Sequence, residues 1–329
     1  MSYRRFDTDD LVVSADSITT PAWSNNVTTL TTFFTSATQT ATNAGKYYYH
    51  IYDTGSAAGE IQFAIAYGHR KGSGSALFNS GEDGKSYSSA VYGQFRTLIT
   101  GDEDTDFTFT SASTAYSPDN LYFISVQRAR FREKILPGTM TLKLSGSAGV
   151  ELSLTDNSKN VSTDTFVDAG RQYSLYSGSL GTVNSTTIEY GKLYPDVGII
   201  ALDANALSKH GYVSTINSSS NHTGTDNKDL LYSSLQSGSH FKLRADETLS
   251  SNFIFVRARN SEFNYSTNPS NITGSGELRH SVMIDNPQSY ITQVGLYNDN
   301  NDLLAVAKLS TPLLKDFTKE ALVRIKLDF

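Results

Sequence analysis

The chain contains no cysteine. That absence removes disulfide scaffolds, thiol nucleophiles, iron–sulfur clusters and cysteine-ligated zinc together. Proline is scarce, at 7 of 329 residues, and there is a single tryptophan. Charge is thin as well: 18% of residues are ionic, against about a quarter in ordinary domains. With 27 Lys+Arg against 33 Asp+Glu the net charge is −6, and no concentrated basic face of the kind a nucleic-acid binder needs is expected. No apolar run approaches the about 18 residues of a membrane span. Asp7, Asp9 and Asp10 make the N-terminus acidic where a signal peptide turns apolar, so synthesis and assembly in a cytoplasm are expected.

What is present is a surplus of hydroxyls and amides. Ser, Thr and Asn supply 99 residues, beside 19 Tyr and 17 Phe. So many aromatics exclude a disordered chain, which cannot bury enough apolar area to offset ordering. The length suffices for one large core or two moderate ones.

The first 45 residues hold no sustained period. They carry isolated apolar anchors at Trp23, Phe33 and Phe34, which predicts an extended N-terminal arm over 1–45 lying on the body or on a neighbour. Deleting residues 2–40 is then expected to leave a folded body. Aromatic and β-branched patterning begins at 46–52 and continues at 60–67, a predicted hairpin. Residues 88–98 place Val91, Phe95 and Leu98 on one helical face, with serine before and Gly101 after. A long strand is predicted over 121–135, then a hairpin from 140–144 and 150–154. Further strands are predicted at 172–176, 187–193 and 197–202. A second short helix is expected at 229–236, and strands at 253–260, 290–297, 303–309 and 321–329. The fold class is therefore mainly β and sandwich-like, in one or two β-rich parts, with one or two short helices. The divisions expected are the arm at 1–45, a β-rich domain with one helix at 46–205, and 206–329 as a second β-rich domain or a continuation of the same sheets.

Reactive constellations are weak. Residues 79–86 imitate a phosphate loop, but position 79 is Asn where glycine is needed, and Glu82 and Asp83 would repel a polyanion. Residues 102–106 open like a calcium loop, yet Phe107 replaces the turn glycine and Ser113 the bidentate glutamate. The six histidines form no zinc spacing, and no Gly-x-Ser-x-Gly elbow occurs. Neither an enzyme nor a cofactor is expected. The strongest charge pattern is Arg128, Arg130, Arg132 and Lys134, which period-two spacing puts on one strand face, as a contact surface or simply the wet side of a sheet. Arg257 and Arg259 repeat it.

Several phrases carry a family likeness: residues 190–202, 255–269, 290–299 and 303–312, with Trp23-Ser24-Asn25-Asn26 and Ala66-Tyr67-Gly68-His69 in the N-terminal half. They resemble virion structural proteins of large contractile-tailed bacteriophages, especially those of cyanobacteria and other aquatic bacteria. The resemblance implies a multi-copy, non-enzymatic virion subunit, in the tail or baseplate before the neck or capsid, whose partners are other virion proteins rather than nucleic acid or membrane. It supplies no catalytic residue. Partner contacts are expected at Trp23, Phe33 and Phe34 and at the arginines Arg128, Arg130, Arg132, Arg257 and Arg259. The rival expectation is a host-receptor or carbohydrate-binding tail protein, with Tyr47, Tyr48, Tyr49 and Trp23 as stacking rings.

Overall fold

The computed structural model describes residues 5–40, 46–56, 59–75, 86–146, 148–217, 227–266 and 268–328. The phosphate-loop imitation, apart from Ser86, lies outside the described residues, as do arm residues 41–45 and His222. The chain is mainly β, 45% strand and 18% helix, as composition and alternation predict.

The first strands are β1 (Leu11–Pro21), β2 (Thr29–Leu30), β3 (Tyr48–Tyr52), β4 (Ile61–His69), β5 (Phe109–Ser111), β6 (Thr114–Tyr116) and β7 (Asn120–Val126). Then come β8 (Lys134–Ile135), β9 (Thr141–Ser145), β10 (Glu151–Asp156), β11 (Thr165–Val167), β12 (Gly170–Ser179), β13 (Thr182–Ser185), β14 (Gly191–Tyr194) and β15 (Ile199–Asp203). The last are β16 (Phe241–Lys242), β17 (Arg244–Ala258), β18 (Ser289–Tyr297), β19 (Leu303–Lys315) and β20 (Ala321–Asp328). Five short helices are present among the described residues: α1 (Ala37–Thr40), α2 (Tyr87–Thr100), α3 (Ala204–Lys209), α4 (Asn227–Gly238) and α5 (Val282–Asp285).

Two compact units result, one of residues 18–247 and a smaller one of residues 1–17 with 248–329. The expected divisions near 45 and 205 do not coincide with these. Trp23 and Phe33 from the supposed arm, and Leu207, Leu235 and Phe241 from beyond 205, share one apolar core with the strands between. The larger unit therefore needs all three segments.

Its sheet runs β2-β16-β9-β10-β12-β14-β15-β7-β4-β3, with β11 and β13 also paired to β12. Period-two alternation sorts the side chains between two layers. Phe63, Ile65, Tyr122, Ile124, Leu193 and Ile200 enter the main core. Their neighbours Ala66, Phe123, Tyr194 and Ala201 face a second core under α2. The hairpins β3–β4 and β9–β10 form as predicted, with Tyr49 opposite Ile65 and Leu152 opposite Leu144.

Helix α2 starts after Ser86 and stops at Gly101, whose φ of 70° and N–H bond to Thr97 O make a left-handed cap. A Cβ at Gly101 would collide with the Asp168 carboxylate. Phe95 stacks on Phe123 at 4.2 Å, but Leu98 is exposed and Ile99 takes the buried place. The predicted face is thus turned at its end, where the helix docks beside Phe107. Helix α3 escaped the sequence reading. Asp203 caps it, accepting from Asn205 N at 2.9 Å and Ala206 N at 3.1 Å, while Tyr116 Oη donates to the same carboxylate.

The long strand expected over 121–135 ends at Val126, and Arg128–Arg130 form a 3-10 turn instead. On one side its partner runs out there: β15 begins at Ile199, opposite Ser125, and Val126 N–H already turns to Gly198 O, while on the other side Gln127 N–H still reaches Gln62 O of β4 before the chain turns.

In the smaller unit β17 lies between β1 and β20, pairing with β20 from Ser251 opposite Asp328 to Ala258 opposite Ala321. Strands β18 and β19 form a separate hairpin with Val294 opposite Ala307 and Leu296 opposite Ala305. Ile254, Leu296 and Ile325 are its buried core, with Val256, Val294 and Val323 partly buried around them. Lys315 is wholly buried and is satisfied as a cation, donating to Asn264 Oδ1 at 2.6 Å and to the carbonyls of Asp316 and Asn260 at 3.0 and 3.1 Å.

Candidate interaction surface

Trp23 and Phe33 are not presented to a neighbour. Trp23 is 2% exposed, its Nε1 donates to Phe241 O at 2.8 Å, and its ring lies 4.9 Å from that of Phe241. Phe33 packs edge-on against Phe63 at 5.9 Å, and its carbonyl accepts from Tyr232 Oη and Gln236 Nε2. Burial of a large ring is the dominant local gain, and the chain's own sheet supplies the site. Phe34 alone of the three stays partly exposed, with its backbone exchanging hydrogen bonds with Tyr52 at 3.1 and 2.8 Å.

The arginine stripe does not form, because the strand that would carry it stops. Arg128 lies over the Phe131 ring at 4.8 Å. Arg130 pairs with Glu60 and Arg132 with Glu247, both at 3.0 Å, and Lys134 with Asp246 at 3.4 Å. The last three cations are each drawn to a different acid. Arg259 lies past the end of β17, its backbone N–H held by the Glu262 carboxylate at 2.9 Å. Arg257 keeps its expected place within β17, opposite Leu322.

Arg257 belongs to a surface that sequence reasoning missed. On β17 and β20, Ile254, Val256, Val323 and Ile325 turn to the core. Alternation puts Phe253, Phe255 and Arg257, with Leu322, Arg324 and Lys326, on the opposite face. Arg324 and Lys326 stand 5.7 and 5.8 Å from the Phe253 ring, and Leu322 is 58% exposed. Asp328 accepts from Ser251 Oγ at 2.7 Å and pairs with Lys326 at 2.9 Å. Those contacts, Ser251 first, hold its carboxyl below the ordinary aspartate value. Arginine and aromatic rings on an otherwise lightly charged face are what interface centres are enriched in.

Apolar exposure continues on the other strands of this unit. β1 buries none of its 11 residues, and Leu11, Val12 and Val13 are all exposed, consecutively and so on both faces. On β19, Leu304 and Val306 point away from the core that Ala305 and Ala307 enter, and Leu304 is 67% exposed. The signal was in the sequence. Apolar residues at both parities of a strand ask for cover on two sides.

Among the described residues no cluster of three or more histidine, aspartate or glutamate side chains gathers for a metal. In the acidic turn Asp102 Oδ1 accepts from Asp104 N at 2.9 Å and Oδ2 from Thr105 Oγ1 at 2.8 Å, while Asp106 pairs with Arg70. No helix among the described residues is long and apolar enough to cross a membrane. Compared with known proteins, the chain matches no family model, no curated protein and no solved structure.

Proposed function

We propose that this chain is a non-enzymatic structural subunit of a contractile-tailed phage virion, in the tail or baseplate, where it joins neighbouring virion proteins. The observation that carries the reading is the imbalance of the smaller unit. Three buried apolar residues hold its core, while β1, β19 and β20 leave Val13, Leu304 and Leu322 more than half exposed. Exposed apolar strands on this scale mark an interaction surface rather than a finished exterior. The sequence resemblance names the particle, and the exposed strands are what such a subunit would bury on joining it.

The test is the solution mass by light scattering, alone and mixed with candidate tail and baseplate proteins. A defined complex with one of them supports the reading. The double variant Leu304→Glu, Val306→Glu is expected to keep its circular dichroism and melting temperature and to lose at least tenfold in affinity for that partner. A chain that joins no virion protein, or a complex indifferent to the double variant, overturns it.

A further inference from the structure

A cleft of about 310 Å³ lies in the larger unit. It opens between the C-terminal end of α2, the loop that follows, and the sheet face of β12 and β14. Lys192 and Tyr194 sit two apart on β14 and so share that face, and the register Tyr173 opposite Leu193 brings Gln172 of β12 beside them. Thr110 of β5 closes one side. It is fixed there by a double exchange: Thr110 N donates to Glu189 Oε2 at 2.7 Å, and Glu189 N donates to Thr110 O at 3.0 Å.

The polar groups of this cleft are arranged at some cost. Glu189 and Lys192 are 2% and 9% exposed, with Lys192 Nζ 3.0 Å from Glu189 Oε1 and 5.6 Å from the Phe109 ring. Taking an ion pair out of water is expensive and seldom stabilises on its own account. An ammonium has three donors, and Lys192, while paired with Glu189, lines the cleft. Tyr194 is 1% exposed, and burial, with the nearby Glu189 charge, pushes its hydroxyl far up, so it stays a donor. Among the described residues, neither the Tyr194 hydroxyl nor the Gln172 amide meets a hydrogen-bond partner. Unmet donors in a recess are costly if dry and are the ready half of a recognition site.

Net charge decides the ligand class. Glu189 neutralises Lys192, and Asp106 at the rim is matched by Arg70 and Arg96. An anion would compete with Glu189 for the lysine. A purely apolar ligand would strand the amide and the phenol. The remaining walls, Ile99, Phe107 and Val167, are apolar, and the volume is at the small end of the about 300–1,000 Å³ of ligand sites. We propose that this cleft binds a neutral saccharide, one or two rings long, with its C–H face on Phe107 and Val167 and its hydroxyls on Gln172, Lys192, Tyr194 and Thr110. The inference does not rest on the virion reading, since a fixed subunit can carry such a site or lack it.

The test uses the full chain in saturation-transfer NMR and calorimetry with glucose, galactose, mannose and N-acetylglucosamine, with inorganic phosphate as the anionic probe. At least one neutral sugar is expected to bind. Gln172→Ala and Thr110→Val are each expected to weaken it about tenfold, the equivalent of about 1.4 kcal/mol, at unchanged melting temperature. Lys192 is left intact because removing it strands the buried Glu189. Neutral polysaccharides built from the same sugar then separate the sources: binding at least as tight as the monomer assigns a surface glycan, and binding of the monomer alone a free sugar. No sugar bound at tens of millimolar, phosphate bound more tightly than any sugar, or binding unaltered in both variants overturns the proposal.

Discussion

Trp23 and Phe34 stand eleven positions apart in the same Ser/Thr-rich stretch, and their surroundings part them. Trp23 fills a site between Phe63 and Phe241 and gives its indole N–H to the Phe241 carbonyl. Trp23→Ala is expected to cost about 3–5 kcal/mol, the range for truncating a buried aromatic, while Phe34→Ala costs under about 1 kcal/mol. Urea unfolding followed by far-ultraviolet circular dichroism separates the two; equal costs would contradict the packing. The same contrast governs the arginines. Arg132 is an exposed partner of Glu247, and Arg132→Ala should shift stability by less than about 1 kcal/mol.

At the scale of elements, the turn between β14 and β15 is tied to the start of β12 by one carboxylate. Asp196 accepts from Arg171 N at 2.7 Å and from its guanidinium at 3.2 Å. Burial pushes the Asp196 carboxyl up, but the Arg171 bonds outweigh it and hold the group below its ordinary value. Gly170 fits that turn because its φ is 101° and a Cβ there would lie 2.5 Å from the same carboxylate. A depressed aspartate stabilises above its unfolded-state pKa of about 3.9 and gives that up as pH falls through the lower folded value. Melting temperature is therefore expected to fall on acidification from about pH 5 to pH 2 more steeply in the native chain than in Arg171→Met. Parallel curves would remove Asp196 from the account of acid stability. Elements also show what a sequence discloses. The hairpins β3–β4 and β9–β10 were legible because alternation and turn residues are local. The end of β7 at Val126 was not, since it is set by where β15, a strand far along the chain, runs out.

For the whole molecule, the N-terminal stretch has two fates. Residues 11–13 lie exposed in β1, whereas Trp23, Leu30 and Phe33 are core of the larger unit. Deleting 2–16 is expected to leave the larger unit folded and to weaken assembly with a virion partner. Deleting 2–40, which the arm reading expected to leave a folded body unable to assemble, is expected to abolish the folded state. Circular dichroism with light scattering on both truncations checks this; a folded 2–40 deletion would show that the core closes without those three side chains. Of the candidate surface, only Arg257 among the expected residues lies on the aromatic and basic face of β17 and β20.

The amino-acid sequence by itself determined that the chain is mainly β, lacks thiol chemistry and folds two hairpins, because alternation, turn chemistry and composition act over a few residues. Tertiary structure alone decided which aromatics are core and which arginines meet acids. It also decided which strands keep an uncovered face, and that Gln172, Lys192 and Tyr194 meet at one cleft. Those outcomes depend on partners far away in the chain, Trp23 on Phe241 and Arg132 on Glu247. No local pattern names them, because burial is a property of what the rest of the chain leaves beside a residue.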